Sequence, residues 1–352
     1  MKEGIHRRHF IKTVGMVASG AATGMPSLSA PGDEQREAAA SERSQIMTVT
    51  GPIESEAMGT ALPHEHIMSI FGGEPNYQPS YDVPKLLDTV LPYLESIKKL
   101  GCETIADCTA AYFGRAPLLL KQIAERTRLH LLTNTGYYGA AKDRYVPAHA
   151  YKETAHQLAK RWLREWREGI DDTGIRPGFM KIGVDDGPLS DIDRKLIQAA
   201  AKVHAESGLT IAVHTGDNPA AAYEQLSILR SEGVSPEAWI WVHAHKVTEH
   251  DSLTRAAEQG AWIELDGISE TSIDHHLSLV QMMSQRGLLS RVLLSHDGNS
   301  FRYRGSPPKP YEALFRNFLP ALRAAKYSTD EIRQLTVLNP RNAFAVRFRP
   351  AR

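Results

Sequence analysis

The chain is short of everything that would mark a disulfide-framed, polyanion-binding or membrane-spanning protein. Its 352 residues include only two cysteines, Cys102 and Cys108. They lie in or beside one candidate strand, and six residues of strand span ~20 Å, beyond the reach of a disulfide. Lys+Arg and Asp+Glu both total 41, so no charge imbalance argues for nucleic acid or another polyanionic partner. No apolar run approaches the ~18 residues of a membrane span. There is no internal repeat. The stretch "PHEHIMSIFGG" after the first candidate strand is not the Gly-rich phosphate loop of a doubly wound sheet. What remains is a globular composition, 42% apolar and 23% charged, long enough for one large domain or two ordinary ones.

The N-terminus reads separately. "HRRHFIKTVGMVASGAATG" pairs Arg7 and Arg8, follows with Phe10, Ile11 and Lys12, and continues through small, weakly apolar residues. It resembles a twin-arginine export signal, with cleavage near "SLSA" at 27–30. Residues 1–30 are therefore expected to be a signal peptide and 31–45 a polar linker. Such export implies a periplasmic or secreted protein that engages the twin-arginine machinery, carried folded and often with its metal or cofactor in place.

From residue 46 onward, short apolar runs alternate with amphipathic stretches, several ending in Gly. The candidate strands are "GTALPHEH" (59–66), "ETIADC" (103–108), "LHLLTNT" (129–135), "GFMKIGV" (178–184), "LTIAVHT" (209–215), "AWIWVHA" (238–244), "AWIELDG" (261–267) and "RVLLSHD" (291–297). Eight strand–helix units over ~300 residues suggest an α/β fold, a (β/α)8 TIM barrel over 46–352. The long segment 137–175 is expected to carry a loop over the barrel mouth and then a helix.

Polar residues recur at the C-terminal ends of these strands, where barrel active sites are built. They are His64-Glu65-His66, Asp107, Lys181, His214, His243, Asp266 and Asp297. Seven polar ends out of eight are costly for an apolar core. His64 and His66 are two apart and share a strand face, which suits a metal. Four histidines and a carboxylate exceed the usual three or four ligands of one zinc ion, so two metals with a bridging ligand would use them all. Lys181 sits inside a buried apolar strand. Alone, it reads as a lysine that snorkels outward or pairs with Asp185. Beside two metals, an ammonium would be repelled, whereas a carbamate formed with carbon dioxide is anionic and offers two oxygens. His245, in "VHAH", has the same strand parity as His243 and competes with it as ligand, with a rim role as its alternative.

The stretches "LPHEHI", "GIRPGFMKIG", "AAAKVHAESGLTIAVHTG", "WVHAHKVTEHDSLTRAAEQGAWIELDG", "LLSHDG" and "TVLNPRNAFA" run in order across residues ~49–346. On these the chain resembles the phosphotriesterase-like metal hydrolases of the amidohydrolase superfamily. The resemblance implies a (β/α)8 barrel holding two divalent metals, often zinc. His64 and His66 would hold the more buried metal with Asp297, and His214 and His243 the more exposed one. N-carboxylated Lys181 and a hydroxide would bridge the two. That hydroxide would attack an ester, lactone or phosphoester, with Asp297 taking or relaying its proton. Counting without gaps from the "WVHAH" stretch favours His243 over His245. Members of this family often form homodimers.

Two positions depart from the family pattern. Lys246 stands where phosphotriesterases carry an acidic relay residue. Gly267 stands where they carry His and the related lactonases carry Arg. Substrate contacts are then expected from loops: Tyr138 as an aromatic wall, and Arg302 and Arg304 in "GNSFRYRGSPPKP" as grips for a carboxylate or phosphate. The competing functions are an amidase on the same metal site and a non-catalytic barrel that only binds a small molecule.

Overall fold

The computed structural model describes residues 44–302 and 307–351. The expected signal peptide, nearly all of the linker, and Arg304 lie outside the described residues. Gln45, expected to close the linker, instead opens a short antiparallel hairpin of Gln45–Thr48 and Gly51–Glu54.

Eight parallel staves follow. They are β1 (Ala61–Ser69), β2 (Thr104–Asp107), β3 (in two segments, His130–Leu132 and Asn134–Thr135), β4 (Phe179–Gly183), β5 (Ile211–His214), β6 (Trp239–Val242), β7 (Trp262–Leu265) and β8 (in two segments, Val292–Leu294 and Gly298–Arg302). The split staves close the ring. The first segment of β3 pairs with β2 and the second with β4. The first segment of β8 pairs with β7 and the second with β1. The chain is therefore the expected (β/α)8 TIM barrel. The main crossover helices are α1 (Val83–Lys99), α2 (Pro117–Thr127), α3 (Ala155–Glu168), α4 (Asp191–Ser207), α5 (Pro219–Ser231), α6 (His250–Glu258) and α7 (Ile273–Gln285). Segment 137–175 holds a loop, a short helix at Ala148–Lys152 and then α3.

Strand parity sorts the side chains. Along β4, Met180 and Ile182 join the large cluster that packs the helices on the barrel, while Phe179 and Lys181 face the axis. Along β7, Ile263 and Leu265 point out, leaving Trp262 and Glu264 inward. The N-terminal half of the barrel is plugged by Ile46, Met58, Leu132, Phe179, Ile240 and Phe344, with no charged group among them. The C-terminal half carries the polar residues.

Parity also corrects one expectation and explains another. Asp107 shares parity with Ile105, an outward residue, so it faces away from the axis. Its carboxylate instead accepts N–H bonds from Ile67 at 2.7 Å and Thr109 at 3.0 Å, clamping β1 to β2. In β1, Leu62 packs outward although it is two residues from His64. The register shifts between Leu62 and Glu65, and this bulge re-aims the two histidines at the axis. Cys102 and Cys108 are both buried and free.

Candidate metal centre

His64, His66, Lys181, His214, His243 and Asp297 line a single cavity at the C-terminal end of the barrel. Each arrives by a different local device. His64 and His66 follow the β1 bulge, and Lys181 and His214 stand in β4 and β5. His243 and Asp297 lie just past or between strand segments, in left-handed conformations with φ 63° and 52°. That region is sparsely used by residues other than Gly, though Asp and His enter it more readily than most, and it commonly marks functional positions. The expectation of an unbroken eighth strand fails at Asp297. The chain turns outward there, and the buried Glu65 carboxylate collects the N–H groups of His296 (3.1 Å) and Gly298 (2.6 Å), as well as the Ser295 hydroxyl.

The histidine tautomers follow from their partners. His66 Nδ1 lies 2.8 Å from the Thr109 hydroxyl, which gives its own proton to the Met68 carbonyl. Thr109 must therefore accept, so the His66 proton sits on Nδ1 and the Nε2 lone pair is free. His64 Nδ1 faces Glu264 at 3.0 Å and Asp266 at 2.5 Å, which again leaves Nε2 free. Both free Nε2 atoms turn to Asp297 Oδ1, at 3.3 Å for His66 and 3.7 Å for His64. The ligand atoms of this trio all lie within 4.8 Å of one another. His214 and His243 form the second pair, with ring centroids 4.3 Å apart.

The electrostatics favour the neutral imidazole, the state that ligation requires, at His64 and His214. Burial, aided by the Lys181 charge, lowers the His64 pKa to about 3. Burial likewise holds His214 well below the usual range. Burial works against ionisation of Asp297, and protonated His66 and His64 would hold it below the ordinary carboxylate range; with their Nε2 atoms unprotonated, that role would fall to a bound cation. Deeper in, burial and the neighbouring Asp266 push Glu264 up, while His243 and His64 hold Asp266 down despite its own burial.

Asp266 Oδ2 lies 2.8 Å from His243 Nδ1, but neither atom has a partner with hydrogen-bond angles. Orphaned buried atoms beside a cluster of free imidazole nitrogens are what a missing cation leaves. Lys181 is 1% exposed, and no described carboxylate lies within 4.0 Å of its Nζ, whose close neighbour is His64 Nε2 at 3.5 Å. Asp185, its expected partner, instead accepts the backbone N–H of Lys142. Lys181 thus neither reaches solvent nor pairs with a carboxylate among the described residues. The residues present fit a divalent metal cluster.

The two competing histidines separate in space. Residues after Val242 leave the strand for a 3-10 turn, Ala244–Lys246, so strand parity no longer applies to His245. His243 lines the cavity. His245 instead bonds Asp266 through Nδ1 at 3.0 Å and stacks on His276. A Cβ added at Gly267, where φ is +110°, would meet His245 Nε2 at 2.6 Å. His245 thus fills the space that a side chain at 267 would need. Tyr138 lines the cavity with its hydroxyl 3.0 Å from His214 Nδ1, and its ring lies against Gly183, where a Cβ would approach it within 2.8 Å. Arg302 also reaches the cavity wall. Sequence reasoning missed Thr109, Phe71, Phe113 and Lys309. It also missed Glu264, whose signal was its spacing of two from Asp266.

A parallel barrel whose mouth gathers imidazoles and carboxylates around a buried lysine is a metal-dependent hydrolase. The Phosphotriesterase family matches residues 44–344, and the chain belongs to it. Membership implies a binuclear divalent-metal site. A phosphotriesterase homology protein of Escherichia coli is 26% identical over 294 residues, covering 81% of this chain and 98% of its own length. An N-acetyltaurine hydrolase of Rattus norvegicus is 24% identical over 296 residues, covering 72% and 84%. A mutant of the organophosphorus hydrolase from Deinococcus radiodurans superposes with a TM-score of 0.77 at 25% identity, over 85% of this chain and 97% of that one.

Proposed function

We propose that this hydrolase cleaves a small ester, lactone or phosphoester at a binuclear site held by six side chains. The observation that carries the reading is the convergence of His64, His66, Lys181, His214, His243 and Asp297 on one cavity. His64, His66 and Asp297 would hold one divalent ion, and His214 and His243 the other, with zinc the expected metal. Two such cations supply Lewis acidity and lower the pKa of bound water toward neutrality. Lys181 would join the two sites as a carbamate. Its neutral Nζ adds to the carbon of carbon dioxide, an N–C bond forms, and one proton leaves to solvent. The product is anionic, which also removes the cost of a buried, unpaired ammonium.

The protein's own residues then prepare the reaction. Glu264 and Asp266 fix the His64 ring from behind, and Thr109 fixes that of His66. Asp297 is ionised, faces the cavity and accepts the proton released on attack. Tyr138, Phe113 and Phe71 form an aromatic wall that excludes water beside the donors, with Phe113 and Tyr138 5.1 Å apart.

A second reading, amide hydrolysis, is supported by relatives named N-acetyltaurine hydrolase. The same donors serve either bond. Metal analysis of protein grown with zinc and carbonate tests the site, with about two ions per chain expected. One ion or none in folded protein overturns the binuclear assignment. A panel of esters, lactones and N-acyl amines then separates the two readings. The twin-arginine-like N-terminus supports export to the periplasm, and cell fractionation with an Arg7→Lys, Arg8→Lys control tests it.

A further inference from the structure

The cavity is lopsided in charge. Phe71, Phe113 and Tyr138, which follow β1, β2 and β3, touch one another in its lining. Lys246, after β6, and Arg302 and Lys309, at and beyond β8, bring three cations to the same lining. The one acidic side chain in the lining is Asp297, and it is already engaged with His64, His66 and Lys309.

The three cations arrive from separate and well-anchored pieces of backbone. Lys246 ends the turn after β6, where its N–H bonds the His243 carbonyl at 3.1 Å. Arg302 ends β8, in register with Ser69 of β1. Lys309 pairs with Asn299 through two backbone bonds of 2.8 Å. Its Nζ lies 2.8 Å from the Asp297 carbonyl oxygen and 3.3 Å from the Asp297 carboxylate. Lys246 and Arg302, in contrast, have no carboxylate within 4.0 Å among the described residues. Protein surfaces usually interleave the two signs of charge. Unmatched cations lining a concave, partly apolar site focus a positive potential into it. A cavity of about 250 Å³ sits below the usual range for drug-sized ligands, so the occupant is small.

Resting on the hydrolase reading, we propose that the natural substrate is a small monoanion. It bears a carboxylate or sulfonate on one side of the scissile bond and an apolar group on the other. The anion sits between Lys246 and Arg302, with Lys309 completing the arc. The apolar group lies on Phe71 and Phe113, and the scissile carbonyl or phosphoryl is presented to the histidine cluster. Lys246 then works as a specificity determinant.

The test uses the full zinc-loaded chain and three acetate esters of similar size, each rate taken relative to its hydroxide-catalysed hydrolysis: para-acetoxybenzoate, para-acetoxybenzenesulfonate and the neutral para-acetoxyacetophenone. We expect kcat/KM for at least one anionic ester to exceed the neutral one by about tenfold or more. That ratio falls with added sodium chloride and collapses in Lys246→Met and Arg302→Met. The carboxylate and sulfonate arms identify which anion is preferred. Hydrolysis without any anionic preference, or a preference untouched by both substitutions, overturns the proposal and leaves the hydrolase reading standing. If no ester is cleaved, titration of ethanesulfonate and of propionate into wild-type and double-variant protein reads the site directly. Binding that the double variant loses supports it; no binding, or equal binding, overturns it.

Discussion

The two ends of this barrel use the same eight strands for opposite purposes, and two buried histidines show how. His204 stands in the last turn of α4 at the closed end, and His64 stands at the open end. Both are essentially sealed from solvent, and burial lowers both pKa values, to about 4 and about 3. His204 is satisfied on both nitrogens. Its Nδ1 donates to the Leu209 carbonyl at 2.8 Å, and its Nε2 accepts the Arg349 N–H at 3.0 Å. His64 gives Nδ1 to Glu264 and leaves Nε2 facing the Lys181 Nζ at 3.5 Å and Asp297 Oδ1 at 3.7 Å, where no backbone group closes it. A structural histidine is closed by the protein on both sides. A ligand histidine is closed on one side and aimed on the other. Burial and pKa alone do not tell them apart.

The contrast breaks hardest at the open end. His64→Asn or Lys181→Met is expected to leave the fold intact and take metal content from about two ions per chain to one or none. Activity should fall by at least about a hundredfold, the range that losing an outer partner alone produces. Elemental analysis and circular dichroism on the same sample check both halves; a Lys181→Met protein with two metals and full activity removes the carbamate from the mechanism.

At the closed end the same logic reverses. Phe344 and Phe179 meet edge to face with centroids 5.2 Å apart, deep in the plug. Phe344→Ala should cost about 3–5 kcal/mol of stability, as large-to-small core changes do. Metal per folded chain should not change. A variant that loses stability and metal in step would show that the two ends are one cooperative unit rather than separable layers.

The histidines also differ in how they report pH. For His204 the folded pKa, about 4, lies below the ordinary 6.5, so the unfolded chain binds the extra proton between these values. Stability therefore falls as pH drops from 6.5 toward 4, by up to about 3 kcal/mol from this group. His204→Gln should flatten that slope, measured as denaturant midpoints across the window. An unchanged slope would assign acid lability to the open-end histidines instead.

Much of the barrel was legible because buried parallel strands are short apolar runs, and eight of them were countable. The ionisable residues that line the cavity were legible because such groups inside apolar runs are expensive. What stayed hidden depended on departures from regular strand geometry. The β1 bulge, the break in β8 and the left-handed conformations of His243 and Asp297 have no sequence signal beyond residue type. Asp107 was misread for the same reason, since its facing follows from which β2 residues meet the helices. Lys309 reaches the site through a pairing with Asn299 that no local pattern announces. The Gln45–Glu54 hairpin was partly lost in a polar stretch that resembles a linker. Loops fixed by tertiary contact are where single-sequence reading runs out.

The smallest effect sharpens the comparison most. Thr109 has one hydroxyl proton and gives it to the Met68 carbonyl, so it serves His66 only as an acceptor. Thr109→Val keeps the shape and removes that acceptor. A satisfied core histidine would respond with a loss of stability of about 1 kcal/mol and nothing else. A ligand histidine would also lose control of its tautomer, because nothing then holds the proton on Nδ1 and the lone pair on Nε2. We therefore expect metal affinity to fall about tenfold or more, read by competition with a chelator, alongside the small drop in stability. Stability loss with unchanged affinity would place His66 in the same class as His204 and leave Asp297 and His64 to hold the buried metal without it.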